Sequence, residues 1–163
     1  MHLNQPIVGM APSPGGRGYW LVASDGGIFS FGDAPFLGSM GGRHLNDPVV
    51  GMAADAQTGG YWLVASDGGI FSFGAPFYGS TGSLRLQQPV NGMATPGSGG
   101  YWLVASDGGI FSFGNAPFWG STGGMALNAP VTGMAADGAT GGYWLSASDG
   151  GVFAFQAPFE GAG

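Results

Sequence analysis

The apolar positions of this chain come in short bursts of about six residues, broken by Gly, Pro, Asp and Ser, and the same burst returns again and again. YWLVASDGGIFSFG stands letter for letter at 19–32, 61–74 and 101–114, and YWLSASDGGVFAFQ, with four changes, at 143–156. Trp20, Trp62, Trp102 and Trp144 are spaced by 42, 40 and 42 residues, and Pro35, Pro76, Pro117 and Pro158 by 41 each time. Self-similarity at a fixed period of this size marks a repeat architecture. The units fall near 1–42, 43–83, 84–124 and 125–163, so 1–163 reads as a single repeat domain.

Within the first unit the pattern predicts strands at roughly 7–11, 19–24, 27–31 and 36–39. Val, Ile, Phe, Tyr and Trp fill them, and turn-forming residues separate them. No stretch carries the 3.6-residue period of a helix, and the glycines would weaken one. Asp-Gly within SDGG reads as a two-residue type I′ hairpin loop. With Asp25-Gly26 as that loop, Ser24 faces Gly27, Val22 faces Phe29 and Trp20 faces Phe31. Trp20, Val22, Phe29 and Phe31 then share one face, and Tyr19, Leu21, Ala23, Ile28 and Ser30 the other.

Both faces are apolar, so both must be covered, whereas a solvated sheet alternates apolar with polar. Copies of the same sheet supply the cover. The expected fold is therefore all-β: a β-propeller of four four-stranded blades, each of about 41 residues. The Gly- and Ala-bearing first strand, VGMA, suits the crowded centre, and the fourth, APFLGS, the rim. Up-down alternation brings the SDGG turns and the LN-x-P links to one end of the sheets. The GG loops and GDAP turns fall at the other. The alternative is half of an eight-bladed ring formed by a dimer, since an open array would leave two apolar sheet faces bare and drive association. The last unit diverges most, with Gln156 in place of Gly and Glu160 where Leu37, Tyr78 and Trp119 stand.

The run GYWLVASDGGIFSFGDAPFLGSMGG…LNDPVVGMAA resembles a tandem repeat of secreted and cell-envelope actinobacterial proteins, where such repeats stand beside catalytic domains. The resemblance covers all four units and implies an extracellular or cell-surface, non-catalytic accessory module, but no ligand or binding residues. Sugar-binding propellers of the tachylectin and tectonin type offer an analogy of architecture only, and fold alone does not license function.

Charge narrows the partners. Arg17, Arg43 and Arg85 are the only basic residues apart from two histidines, against nine acidic ones, and the net charge is −6. That excludes the basic footprint nucleic acid requires and disfavours docking on anionic membranes. No apolar run approaches the roughly 20 residues of a membrane span. The N-terminus shows no signal-peptide pattern. There is no cysteine, hence no disulfide or thiolate chemistry.

Four recurring features could carry chemistry. Asp25, Asp67, Asp107 and Asp149 recur in SDGG; one carboxylate per turn falls short of the clustered oxygens a calcium loop needs, and Asp suits a turn in its own right. The GYW aromatics could stack on sugars, but as mid-strand residues they are expected in packing between blades. Asn4, Asn46, Gln87 and Asn128 share one register in LN-x-P, and amides that both donate and accept suit hydroxyl-rich ligands. The varied position Leu37, Tyr78, Trp119 and Glu160 presents Tyr78 and Trp119 near the rim. The candidate ligand-binding residues are thus Asn4, Asn46, Gln87, Asn128, Tyr78 and Trp119, with a glycan or cell-wall polymer as the expected partner. No catalytic residues, metal or cofactor are expected. His2 and His44 lie in links without equivalents in every unit, and the recurring serines have no recurring base beside them. Self-association as a structural module is the alternative function.

Overall fold

The computed structural model describes residues 3–163. Among the described residues, twelve strands form four separate antiparallel sheets in tandem. Sheet 1 comprises β1 (Ile7–Pro12), β2 (Tyr19–Ala23) and β3 (Ile28–Phe31); sheet 2, β4 (Val49–Ala54), β5 (Tyr61–Ala65) and β6 (Ile70–Phe73). Sheet 3 comprises β7 (Val90–Ala94), β8 (Gly100–Ala105) and β9 (Ile110–Gly114); sheet 4, β10 (Val131–Ala136), β11 (Tyr143–Ala147) and β12 (Val152–Phe155). The YW strand is the middle strand of every sheet.

Each sheet has three strands, not the expected four. The APF segments fail to pair for identifiable reasons. Pro35, Pro76, Pro117 and Pro158 lack the N–H a ladder needs. Gly38, Gly79, Gly120 and Gly161, three residues on, sit at φ 131°, 129°, 125° and 121°, off the extended path. Side chains hold the segments instead. The indole Nε1 of Trp20, Trp62, Trp102 and Trp144 donates to the carbonyls of Pro35, Pro76, Pro117 and Pro158 at 2.7–2.8 Å.

The hairpin also differs from the expected two-residue loop. Ala23 N–H bonds Gly27 O, and Gly26 N–H bonds Ala23 O, both at 2.9 Å. The loop is therefore three residues, Ser24-Asp25-Gly26, with Gly26 left-handed at φ 82°. This is the type I turn closed by a left-handed glycine that three-residue hairpins favour. The Asp25 carboxylate accepts from Gly27 N–H at 2.9 Å, and Asp67, Asp107 and Asp149 repeat the contact. One added loop residue turns β3 over, because side-chain facing alternates along a strand. The observed pairs are Tyr19–Phe31, Trp20–Ser30, Leu21–Phe29 and Val22–Ile28. Trp20, Val22, Ile28 and Ser30 thus form the face directed at the next sheet, here called the forward face. Tyr19, Leu21, Phe29 and Phe31 form the trailing face.

Each forward face packs on the trailing face of its successor, and both remain apolar as expected. Trp20, Val22 and Ile28 meet Tyr61, Leu63, Phe71 and Phe73 in one buried cluster, and two equivalent clusters follow. Trp–Tyr ring centroids lie 5.0, 5.1 and 5.0 Å apart at the three junctions, within the range of favourable aromatic pairs. The tyrosine hydroxyl fastens each junction. Tyr61 Oη donates to Gly38 O at 2.6 Å and accepts from Leu37 N–H at 3.0 Å, joining sheet 2 to the outer segment of unit 1. Tyr101 and Tyr143 do the same to the segments before them. Burial pushes all three phenols above their ordinary pKa, against the opposing pull of these backbone bonds. The hydroxyls of Ser30, Ser72 and Ser112, buried at the same junctions, have no hydrogen-bond partner.

The VGMA-type strands are innermost, as expected. Strands β1, β4, β7 and β10 pack in series, and a Cβ on Gly9 would come within 3.3 Å of Gly51 Cα. Each carries a bulge, at residues 8, 50, 91 and 132.

The expected closure of four blades into a ring within the chain is not observed. Tyr19 is 41% exposed while Tyr61, Tyr101 and Tyr143 are fully buried, and Met10 is 60% exposed where Met52 is 7%. On sheet 4, Ala135 and Ser146 are exposed and Trp144 is only half-buried. The trailing face of sheet 1 and the forward face of sheet 4 are both uncovered.

Candidate functional site: clefts between links and turns

Two backbone bonds per junction bring the links to the turns. Ser24 N–H donates to Pro6 O at 3.0 Å, and Ser24 O accepts from Val49 N–H at 2.9 Å. The turn of sheet 1 is thereby fixed both to its own link and to the next one. Ser66 and Ser106 make the same pair of bonds. The SDGG turns and LN-x-P links therefore share one end of the sheets, as expected.

Three equivalent clefts lie at the three junctions on this end. The first, about 320 Å³, is bounded by Gln5, Ser24 and Asp25 on one side and by Arg43, Asn46 and Asp47 on the other. The second, about 280 Å³, sets Asp47, Ser66 and Asp67 against Leu86, Gln87 and Gln88. The third, about 290 Å³, sets Gln88, Ser106 and Asp107 against Leu127 and Asn128. Two further clefts flank the links. One of about 430 Å³ adds Phe111 beside Gln87, and one of about 290 Å³ adds Phe153 beside Asn128. The recurring elements are a side-chain amide, a turn carboxylate and an apolar floor of Leu45, Leu86 or Leu127. Such a lining can donate and accept hydrogen bonds around a hydroxyl-bearing ligand while covering its apolar surface.

Three of the amides anticipated from sequence, Asn46, Gln87 and Asn128, line these clefts and are exposed. Asn4 is exposed ahead of β1 and borders none of the five. Tyr78 and Trp119 are not brought to this end. Tyr78 packs against Trp62 and Tyr101, at centroid distances of 6.3 and 5.8 Å. Trp119 Nε1 donates to Gly141 O at 3.0 Å, in the loop before β11. Both side chains reach over the following sheet toward the opposite end. Sequence reasoning passed over Gln5, Asp47 and Gln88, the x of LN-x-P. Ser24 and Ser106 hydroxyls donate to the Gln5 and Gln88 carbonyl oxygens at 3.4 and 3.2 Å. Only their equivalence across units could have drawn attention to them.

The opposite end is made of self-contained turns. Asp137 accepts from the Thr140 hydroxyl at 2.7 Å and from Ala139 N–H at 3.0 Å, and these bonds, the hydroxyl first, hold its carboxyl below the usual range. Asp55, Gln57 and Thr58 repeat the geometry. Among the described residues no three His, Asp or Glu side chains gather where they could hold a metal ion. His44 borders the first cleft, and His2 lies outside the described residues.

No family model matches the chain, and no curated protein matches it. Among solved structures it is similar to a crystal structure of a protein of unknown function from Bacteroides thetaiotaomicron, with a TM-score of 0.54 and 14% identity. The match covers 85% of this chain and 44% of that one, so the chain spans less than half the length of its structural neighbour. At this identity the likeness concerns the fold alone: a β-rich fold of repeated sheets with internal symmetry.

Proposed function

We propose that the sheets are propeller blades and that the chain is a non-catalytic, extracellular or cell-surface module binding polyhydroxylated ligands, of the glycan or cell-wall polymer class, at its junction clefts. The observation that carries this reading is the repetition of one cleft at three junctions, each with an amide, a turn carboxylate and a leucine floor. Amide and carboxylate oxygens accept from sugar hydroxyls, amide N–H groups donate to them, and the apolar floor suits the C–H face of a sugar ring. Near-equal sites along one edge favour a repeating polymer, because linked weak contacts gain affinity through effective concentration. The resemblance to cell-envelope repeats is consistent with that ligand class.

Calorimetric titration with soluble cell-wall fragments and simple sugars tests the reading. The triple variant Asn46→Ala, Gln87→Ala, Asn128→Ala is expected to abolish binding and leave the melting temperature within a degree or two, since all three side chains are exposed. Absence of binding by the unmodified chain at millimolar ligand overturns it.

A further inference from the structure

The two uncovered faces at the ends of the array are the two halves of a junction the chain already forms three times. Every internal junction joins a forward face bearing a Trp to a trailing face bearing a Tyr. Sheet 4 ends the series with an unused forward face, and sheet 1 begins it with an unused trailing face. We propose that these end faces dock on each other between two copies of this chain, head to tail, closing a ring of eight sheets with two identical new junctions. The closed-ring form rests on the propeller reading above; the docking of the faces rests on the junctions alone.

The receiving geometry is already formed at the free end. At each internal junction a glycine of the outer segment lies under a phenylalanine of the next sheet: a Cβ on Gly38, Gly79 or Gly120 would come within 2.6–2.8 Å of Phe73, Phe113 or Phe155. Gly161 is the fourth member of this series. It holds φ 121°, beside 131°, 129° and 125° for the others, though a Cβ there would meet nothing within 4 Å. Its conformation is that of a residue with a ring upon it, and Phe31, 37% exposed on sheet 1, is the ring the series calls for. Tyr19 is correspondingly placed to fasten the carbonyl of Gly161 and the N–H of Glu160, as Tyr61 fastens Gly38 and Leu37. Trp144 keeps its bond to Pro158 O at 2.7 Å, so the forward face of sheet 4 is shaped like the three covered ones. Ser146 is the one polar intrusion, standing where Val22, Val64 and Val104 are buried. It makes the end junction weaker than the internal ones and its docking dependent on concentration.

Head-to-tail contacts close into rings or run on into filaments, so the test must separate the two. Sedimentation velocity across a concentration series is expected to show a species of twice the 16.3 kDa chain mass and nothing larger. Tyr19→Asp on the trailing face and Ser146→Asp on the forward face, both exposed positions, are each expected to give a folded monomer by circular dichroism. Mixing the two variants must restore a dimer, because one of its two junctions is then built from unmodified faces. A strict monomer at the highest soluble concentration overturns the docking of the faces. So does a dimer that survives either variant. An open-ended ladder of larger species overturns ring closure. None of these results depends on sugar binding, so failure here is distinguishable from failure of the cleft reading.

Discussion

Sheets 1 and 2 carry the same fourteen-residue phrase, yet they sit in different worlds. Tyr61 is fully buried, bridging to the unit before it; Tyr19, its counterpart, is 41% exposed with a stacked Phe31 beside it at 5.1 Å. The contrast recurs in mirror image at the far end, where Trp144 is half-buried and Trp62 wholly so. Identical letters therefore differ in energetic weight according to whether a neighbour stands on the relevant side. In repeat arrays stability is approximately a sum of intrinsic terms and nearest-neighbour terms. An interior sheet gains two junctions and a terminal sheet one.

The contrast is best measured in the Ser146→Asp background, which the end-docking proposal holds monomeric. Trp62→Ala there should cost about 3–5 kcal/mol, as for large aromatic core truncations, and Trp144→Ala less than half as much, both read from denaturant midpoints. Equal costs would mean the two environments do not differ as the burial indicates. In the unmodified chain at high concentration the gap should narrow, since docking covers Trp144. Next in size, Tyr61→Phe removes two part-buried hydrogen bonds, from Leu37 N–H and to Gly38 O, and should cost about 1 kcal/mol, whereas Tyr19→Phe in the monomer should change stability by a few tenths at most. The smallest effect is in alkaline solution. Tyr61, Tyr101 and Tyr143 have folded pKa values raised by burial, so the unfolded chain surrenders their protons first. Their contribution is whole below about pH 10 and is lost as pH climbs through the raised values. Denaturant midpoints should fall on that climb, and less steeply in Tyr61→Phe.

Much of the architecture is legible in the sequence. Period, the inner position of the glycine-bearing strand and the shared end of turns and links all follow from composition and alternation. The hairpin register does not. Asp-Gly ends a three-residue loop as readily as it fills a two-residue one, since both need a left-handed glycine, and here the Asp25 carboxylate caps Gly27 N–H instead of taking positive φ itself. A wrong register normally betrays itself by burying polar residues. In IFSF both faces are largely apolar, so a one-residue slip costs nothing visible in the pattern, and only the orphaned Ser30 hydroxyl marks the true facing. The pattern predicts a fourth strand at 36–39 that does not form; Pro35 and Gly38, both unfavourable to a ladder, are the residues that argue against it. At the clefts, repetition pointed to Asn46, Gln87 and Asn128. Nothing in residue type could show that Tyr78 and Trp119 lean over the next sheet toward the other end, because that depends on the path of an unpaired segment.

The close approach of Gly9 to Gly51, and of Gly51 to Gly92, along the inner strands, set against the Trp–Tyr pairs farther out, gives the first two pairs of sheets the profile of a stone in an arch, thin at the inner edge and thick beyond it. In an arch the taper of the stones, not their number, fixes the curvature. Placing a methyl group at Gly9 or Gly51 would thicken the inner edge, flatten the curve and demand more sheets before the two ends could meet.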